Sequence, residues 1–231
     1  MKPVVVVTPD PAGAAAERLA ETAGSGGHLA LAGGSTPRAA YERAAAMDVD
    51  WSAATLWFGD ERCVPPDHEH SNYRMVKEAL LDRIGAGEVK RMQGELGPDG
   101  GAEAYEAELQ AAFGSGVPRL DLILLGLGPD AHTASLFPGD DALGEVERAA
   151  VGVPTPGMAP FVSRVTITLP VVNAARDVVF LVSGEDKAEA VARAFSGVPD
   201  PAAPASLVQP ESGSFTLLAD AAATALLENA R

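Results

Sequence analysis

Leu120-Asp121-Leu122-Ile123-Leu124-Leu125-Gly126-Leu127-Gly128-Pro129-Asp130-Ala131-His132 is the stretch that decides the fold. Its first six residues are apolar except for Asp121 and do not alternate with polar ones. That is the pattern of a strand covered on both faces. Two glycines and a proline then end it. A strand of this kind needs helices on either side, and the chain supplies them. Val4–Val7, Leu29–Ala32, Thr55–Phe58, Val178–Val182 and Phe215–Leu218 read as further short strands. Between them Pro11–Ala23, Thr36–Ala46, Asn72–Leu81, Ala102–Phe113 and Glu185–Phe195 read as helices, the first with Asp10 as N-cap and Pro11 in its first turn. This rhythm predicts an α/β fold: a doubly wound, mostly parallel sheet with helices on both faces, Rossmann-like in outline. Arg164–Leu169 alternates with period two, which suits a half-exposed or antiparallel strand and hence a small antiparallel extension. The Ala-rich Asp220–Leu227 reads as a closing helix. Gly94–Gly101, Pro154–Pro160 and Pro199–Pro204 read as loops. None of them is long enough for a domain linker, so one α/β domain is expected over residues 1–231.

Composition narrows the functional classes. Hydrophobic residues make up 47% of the chain and aromatic ones only 5%, which predicts an aliphatic core. The formal net charge of −15 repels nucleic acid and anionic membrane surfaces, so neither is expected as a partner. The same field repels an anionic substrate, and a phosphate site would need local cations. The lone Cys63 excludes an intramolecular disulfide and reads as a packed thiol beside a strand end. No signal-peptide layout or membrane-length apolar run is present, which leads to the expectation of a cytoplasmic protein, monomeric or a small homo-oligomer.

Ligands of open α/β sheets bind outside the carboxyl ends of the strands, so the residues that follow each strand are the candidates. Gly33-Gly34-Ser35-Thr36-Pro37 stands between a strand and a helix. Its glycines let backbone approach an anion, and the helix start offers free N–H groups and two hydroxyls. An N-capped turn is the plainer reading. Asp60-Glu61-Arg62 follows Phe58-Gly59. Asp60 could orient a base or bond sugar hydroxyls, and Arg62 could counter a phosphate or pair with Glu61; a solvated turn is the alternative. His68 and His70 lie in a polar loop without a convincing set of metal ligands around them. In Asp130-Ala131-His132 a carboxylate stands beside an imidazole, the side chain best suited to act as a base near neutral pH. Ser135 raises a Ser-His-Asp alternative but lacks the Gly-x-Ser-x-Gly elbow. Arg164 opens one strand. Lys187 lies in the first turn of a helix, where a cation opposes the helix dipole unless an anion binds there too.

Taken in order, Gly33-Gly34-Ser35-Thr36-Pro37, Asp60-Glu61-Arg62, Ser71-Asn72-Tyr73, Gly126-x-Gly-Pro-Asp-x-His-Thr-Ala-Ser-Leu-Phe-Pro, Arg164-Val-Thr-x-Thr-Leu-Pro and Gly184-x-x-Lys187-Ala resemble the 6-phosphogluconolactonase family, which shares a superfamily with glucosamine-6-phosphate deaminases. The resemblance implies hydrolysis of 6-phospho-D-glucono-1,5-lactone, a small sugar-phosphate lactone, without metal or organic cofactor. It implies His132 as the general base, with Asp130 and Asp60 orienting the site. Gly33, Gly34, Ser35, Thr36, Arg164 and Lys187 would hold the phosphate, and Arg62 would be a further cation near the substrate. Two alternatives stand beside it. A hexosamine-6-phosphate deaminase or isomerase would need another carboxylate shortly after the His, where this chain has Phe137. A non-catalytic sugar-phosphate sensor would not need the Asp130 and His132 pair. One position departs from the family pattern: Ala131 stands where glycine is usual. The expectation is that this position requires only a small side chain. If it requires positive φ, alanine is strained by roughly 1–2 kcal/mol.

Overall fold

The computed structural model describes residues 1–227. In chain order the strands and helices are β1 (Val4–Val7), α1 (Pro11–Gly24), β2 (His28–Leu31), α2 (Ser35–Ala44), β3 (Thr55–Phe58), β4 (Asp60–Arg62), α3 (Asn72–Ala79), β5 (Glu88–Val89), α4 (Gly97–Phe113), β6 (Leu122–Leu125), β7 (Ala150–Val153), β8 (Arg164–Ile167), α5 (Leu169–Ala174), β9 (Asp177–Val182), α6 (Ala188–Phe195) and β10 (Ser214–Ala219). Seven strands form a parallel sheet in the order β1-β10-β9-β6-β2-β3-β5. β4, β8 and β7 form a separate three-stranded antiparallel sheet. The expected α/β architecture with an antiparallel extension is therefore present.

Strand order explains where the ligand-facing loops gather. From β2 the chain winds outward to β3 and β5, and from β6 it winds the other way to β9 and β10. β2 and β6 are adjacent, in register Leu29 with Leu122 and Ala30 with Ile123. The loops that leave their carboxyl ends diverge, opening the crevice typical of a topological switch point. These two loops are Gly33–Pro37 and Gly126–His132.

Several expectations require correction. Asp60-Glu61-Arg62 is not a turn at the end of β3 but a strand of its own. Gly59 joins the two sheets: its N–H donates to Leu31 O at 2.9 Å, and its carbonyl accepts from the Ile167 N–H at 2.9 Å. The polar sequence of β4 hid it, because both acidic side chains turn inward. β8 is antiparallel as anticipated, but all four of its residues are buried rather than half-exposed. Its polar positions, Arg164 and Thr166, face internal partners, not water. β7 is a strand that the sequence pattern does not announce. Part of the glycine-rich segment read as a loop, from Gly97 onward, is the first turn of α4, with Pro98 near its start. Residues 221–226 form turns instead of a closing helix.

The core is aliphatic in bulk but not in character. Trp51, Trp57, Tyr41, Tyr105, Phe58 and Phe180 are its largest fully buried side chains, so the scarce aromatic residues are concentrated inside. Two of them finish strand ends. The Tyr41 hydroxyl, on α2, accepts from Ala32 N–H and donates to Ala32 O, both at 2.8 Å. The Tyr105 hydroxyl, on α4, does the same for Phe58 at 2.9 Å. Burial pushes both phenols far above their ordinary range, so they remain donors at any working pH. Each satisfies an inward backbone pair that would otherwise be costly to bury. No helix among the described residues is long and apolar enough to cross a membrane.

Candidate active site

A cavity of about 310 Å3 lies over the switch point. Nine of the ten candidate residues line it: Gly33, Gly34, Ser35, Thr36, Asp60, Arg62, His132, Arg164 and Lys187. The tenth, Asp130, lies behind the histidine and does not line the cavity. Its Oδ1 is 2.5 Å from His132 Nδ1 and also accepts the His132 backbone N–H at 3.1 Å. Burial acts to raise the Asp130 carboxyl. The hydrogen bond and charge of His132, together with the backbone donors, outweigh it and hold the group below the ordinary carboxylate range. A carboxylate at Nδ1 keeps the ring proton there and leaves Nε2 as an acceptor. The Phe137 ring packs on the imidazole, centroid to centroid at 4.6 Å, and also lines the cavity.

Gly128 makes room for this histidine. A Cβ at residue 128 would sit 2.0 Å from His132 Nδ1. The turn is closed by Gly128 N–H to His132 O at 2.9 Å and by Ala131 N–H to Gly128 O at 3.0 Å. Ala131 has φ of +65° and is fully buried. This corrects the expectation that the position asks only for a small side chain: it asks for the left-handed conformation as well. The conformation is imposed from both sides, because the Ala131 carbonyl accepts from Ala205 N–H at 2.9 Å. Relieving the strain outweighs the greater freedom of glycine in the unfolded chain. Ala131→Gly is therefore expected to stabilise the protein by about 0.5–1 kcal/mol, a Tm rise of about 2 °C for a chain of this size. A melting curve checks this, and a fall in Tm would mean that the buried methyl contributes more than the strain costs.

The turn after β2 opens α2 at the cavity wall. Gly34 is the N-cap of α2 without a side-chain hydrogen bond, and no acidic residue lies in the first turn. The helix thus presents free N–H groups with Ser35 and Thr36 at the cavity wall. Gly33 is required for another reason: a Cβ there would fall 2.0 Å from Asn72 Oδ1. Asn72, at the start of α3, was not among the candidates. Its amide donates to Asp60 O at 2.9 Å and to Asp60 Oδ1 at 3.1 Å, and it lines the cavity. Its sequence signal was a helix-capping pair. Ser71 does cap α3 through the Arg74 N–H, so the pattern was spent on local structure.

Asp60 accepts from Ser135 Oγ at 2.6 Å as well as from Asn72. Asp60 thus joins β4, α3 and the segment after His132. Ser135 is fully buried and its proton is committed to Asp60, which removes it as the nucleophile of a Ser-His-Asp arrangement. Glu61 is not paired with the Arg62 guanidinium. Its buried carboxylate accepts from Arg62 N–H, Asn72 N–H and Tyr73 N–H, each at 2.7 Å, and from Ser71 Oγ at 2.9 Å. It fastens the start of α3 to β4 and thereby sets Asn72. Burial pushes the Glu61 carboxyl up, and these four donors pull it only part of the way back. Arg62 instead donates through Nη1 to His70 O at 2.7 Å. The loop of His68 and His70 is also tied within itself, by His70 N–H to His68 Nδ1 at 3.1 Å. Arg164 donates to Val162 O at 3.0 Å and Pro160 O at 2.9 Å, which fixes the segment carrying Met158 and Ala159 at the cavity mouth. Burial and the neighbouring Arg62 charge push the Arg164 guanidinium down from its very high ordinary value. The Asp60 and Glu61 carboxylates offset part of the positive charge that Arg62, Arg164 and Lys187 bring to the cavity. Burial pushes the Cys63 thiol up, leaving it a neutral packing group.

The sequence model described as glucosamine-6-phosphate isomerases/6-phosphogluconolactonase matches residues 10–217. The chain belongs to the 6-phosphogluconolactonase family. Among the most similar relatives of this family is the 6-phosphogluconolactonase of Nostoc, 41% identical over 206 residues, which cover 86% of this chain and 84% of the relative. The human 6-phosphogluconolactonase is 42% identical over 176 residues, covering 75% of this chain and 68% of the relative. In three dimensions the fold is similar to 6-phosphogluconolactonase from Trypanosoma cruzi, with a TM-score of 0.88, 29% identity and coverage of 98% of this chain and 97% of that one.

Proposed function

We propose that this chain hydrolyses 6-phospho-D-glucono-1,5-lactone to 6-phospho-D-gluconate, with His132 as the general base. The observation that carries the reading is His132 itself: held at Nδ1 by Asp130, it lines the same cavity as the open N-terminus of α2 and three cations. In this mechanism Nε2 takes a proton from water as the water oxygen attacks the lactone carbonyl carbon. The tetrahedral adduct collapses by breaking the bond from that carbon to the ring oxygen. The ring oxygen takes the proton back from the imidazolium and leaves as the hydroxyl of the open-chain acid. Asp130 stabilises the transient imidazolium. Gly33, Gly34, Ser35, Thr36, Arg164 and Lys187 hold the phosphate, with Arg62 nearby, and the tethered ring is thereby kept still for attack. No step calls on a metal or organic cofactor. Asp60 acts through geometry, as the junction between Asn72 and Ser135. The apolar Phe137 beside His132 argues against a deaminase, which needs a proton-relaying carboxylate there.

The test is hydrolysis of freshly generated 6-phosphogluconolactone at neutral pH, with a chelator present, against its spontaneous background. The native chain is expected to exceed background by orders of magnitude. Ser135→Ala is expected to keep kcat within about tenfold, since it loses one hydrogen bond to Asp60 and no nucleophile. A native rate equal to background would overturn the activity, and a Ser135→Ala variant reduced to background would restore the serine as nucleophile.

A further inference from the structure

The segment after the last strand contributes a residue that none of the motifs contains. β10 ends at Ala219, paired in register with Val182 at the end of β9. Asp220 therefore emerges at the carboxyl edge of the sheet beside Ser183. Its carboxylate accepts from the Ser183 hydroxyl, from Gly184 N–H at 3.0 Å and from Ala223 N–H at 2.7 Å. Ser183 and Lys187 both line the cavity. The Gly184 carbonyl in turn accepts the Lys187 N–H at 3.1 Å. Gly184 thus has its N–H held by the Asp220 carboxylate and its C=O held by the Lys187 backbone N–H. Among the described residues the Lys187 ammonium has one ion-pair partner: its Nζ is 4.0 Å from Asp186 Oδ2, the outer limit of such a pair, and that aspartate side chain is 78% exposed.

An aspartate at this edge would repel a phosphate if its charge were free. Here the charge is answered by three donors. Burial acts to raise the Asp220 carboxyl, and the Ser183 hydroxyl and backbone N–H groups overcome it and hold the group below the ordinary range. We propose that Asp220 is a positioning residue that sets Lys187 in the cavity through the Ser183–Gly184 turn. This rests on Lys187 being a phosphate contact.

The experiment is a double-mutant cycle on Asp220→Ala and Lys187→Ala, read as the Kd for 6-phosphogluconate by calorimetry and as KM and kcat for the lactone. Binding measures the cycle without requiring turnover. Lys187→Ala and Asp220→Ala are each expected to weaken 6-phosphogluconate about tenfold, the effect of one charge-assisted hydrogen bond. Because the aspartate acts through the lysine, the double variant is expected to bind no worse than Lys187→Ala alone. KM is expected to rise in each case by more than kcat falls, a split that a general loss of structure would not produce. Asp220→Asn keeps one acceptor and the shape of the side chain; it is expected to fall between native and Asp220→Ala, and it carries the test if the alanine variant does not fold. If Lys187→Ala weakens binding and Asp220→Ala either does nothing or multiplies with it, the positioning role is overturned while the phosphate role of Lys187 stands. If Lys187→Ala binds 6-phosphogluconate as tightly as the native chain, the phosphate role falls, and this inference with it.

Discussion

His132→Ala is expected to lower kcat for 6-phosphogluconolactone by about 10²–10⁴-fold, the usual contribution of a positioned general base. His132 lines the cavity, and Asp130 occupies its Nδ1 at 2.5 Å, which fixes the orientation of the ring. In the proposed mechanism, removing it deletes the proton acceptor and the later proton donor together. It leaves the α2 N-terminus, Arg62, Arg164 and Lys187 in place, because none of them relies on the imidazole for its hydrogen bonds. Calorimetric binding of 6-phosphogluconate should therefore be nearly native while turnover falls toward the spontaneous rate. A variant that retains native kcat would show that water attacks without this base. A variant that loses binding as well would show that the histidine holds the substrate instead.

Gly128→Ala is expected to lower kcat by about 10²-fold without touching a reacting group, the scale associated with misplacing a catalytic group by about 1 Å. The added methyl would lie 2.0 Å from His132 Nδ1 and 2.1 Å from Cε1, so the ring must move by more than an ångström or the turn must open. Either response breaks the contact with Asp130. The ring cannot simply tilt away, because Phe137 packs against it at 4.6 Å. Stopped-assay kinetics together with a melting curve separate the outcomes. Retained folding with a large loss of kcat supports a positional role for Gly128. Native kcat would mean that the histidine acts from a different position in turnover.

The two strongest signals in the sequence were carried by residues whose local roles and site roles coincide. Gly33–Thr36 is at once a strand-to-helix turn and an open helix N-terminus, and Asp130 and His132 follow a buried strand within one turn. Chain order alone brings these residues to the sheet edge. Asn72 and Glu61 were less legible, because each has a complete local explanation. Ser71-Asn72 caps a helix, and a Glu beside an Arg reads as a surface pair. Only the turn at Gly59 into a second sheet shows Glu61 accepting four donors and Asn72 lying between Asp60 and the space left by Gly33. The conformation of Ala131 is hidden from the sequence for a related reason. Sequence shows the size of a residue but not its φ, and the hydrogen bond from Ala205, more than 70 positions away, is among the contacts that hold it at +65°.

The sequence by itself determined the α/β class, because hydrophobic period and glycine placement are local and repeat within a few residues; the order of its motifs carried the resemblance to the family and, through it, nine of the residues that line the cavity. Tertiary structure decided the rest: that β2 and β6 are neighbours, that Ser135 serves Asp60, and that Asp220 reaches the turn before Lys187. Each of these is a pairing of segments far apart in the chain. Such pairings are set by which faces can be buried and which donors can be satisfied at once, and that is a property of the whole packed molecule, not of any stretch within it.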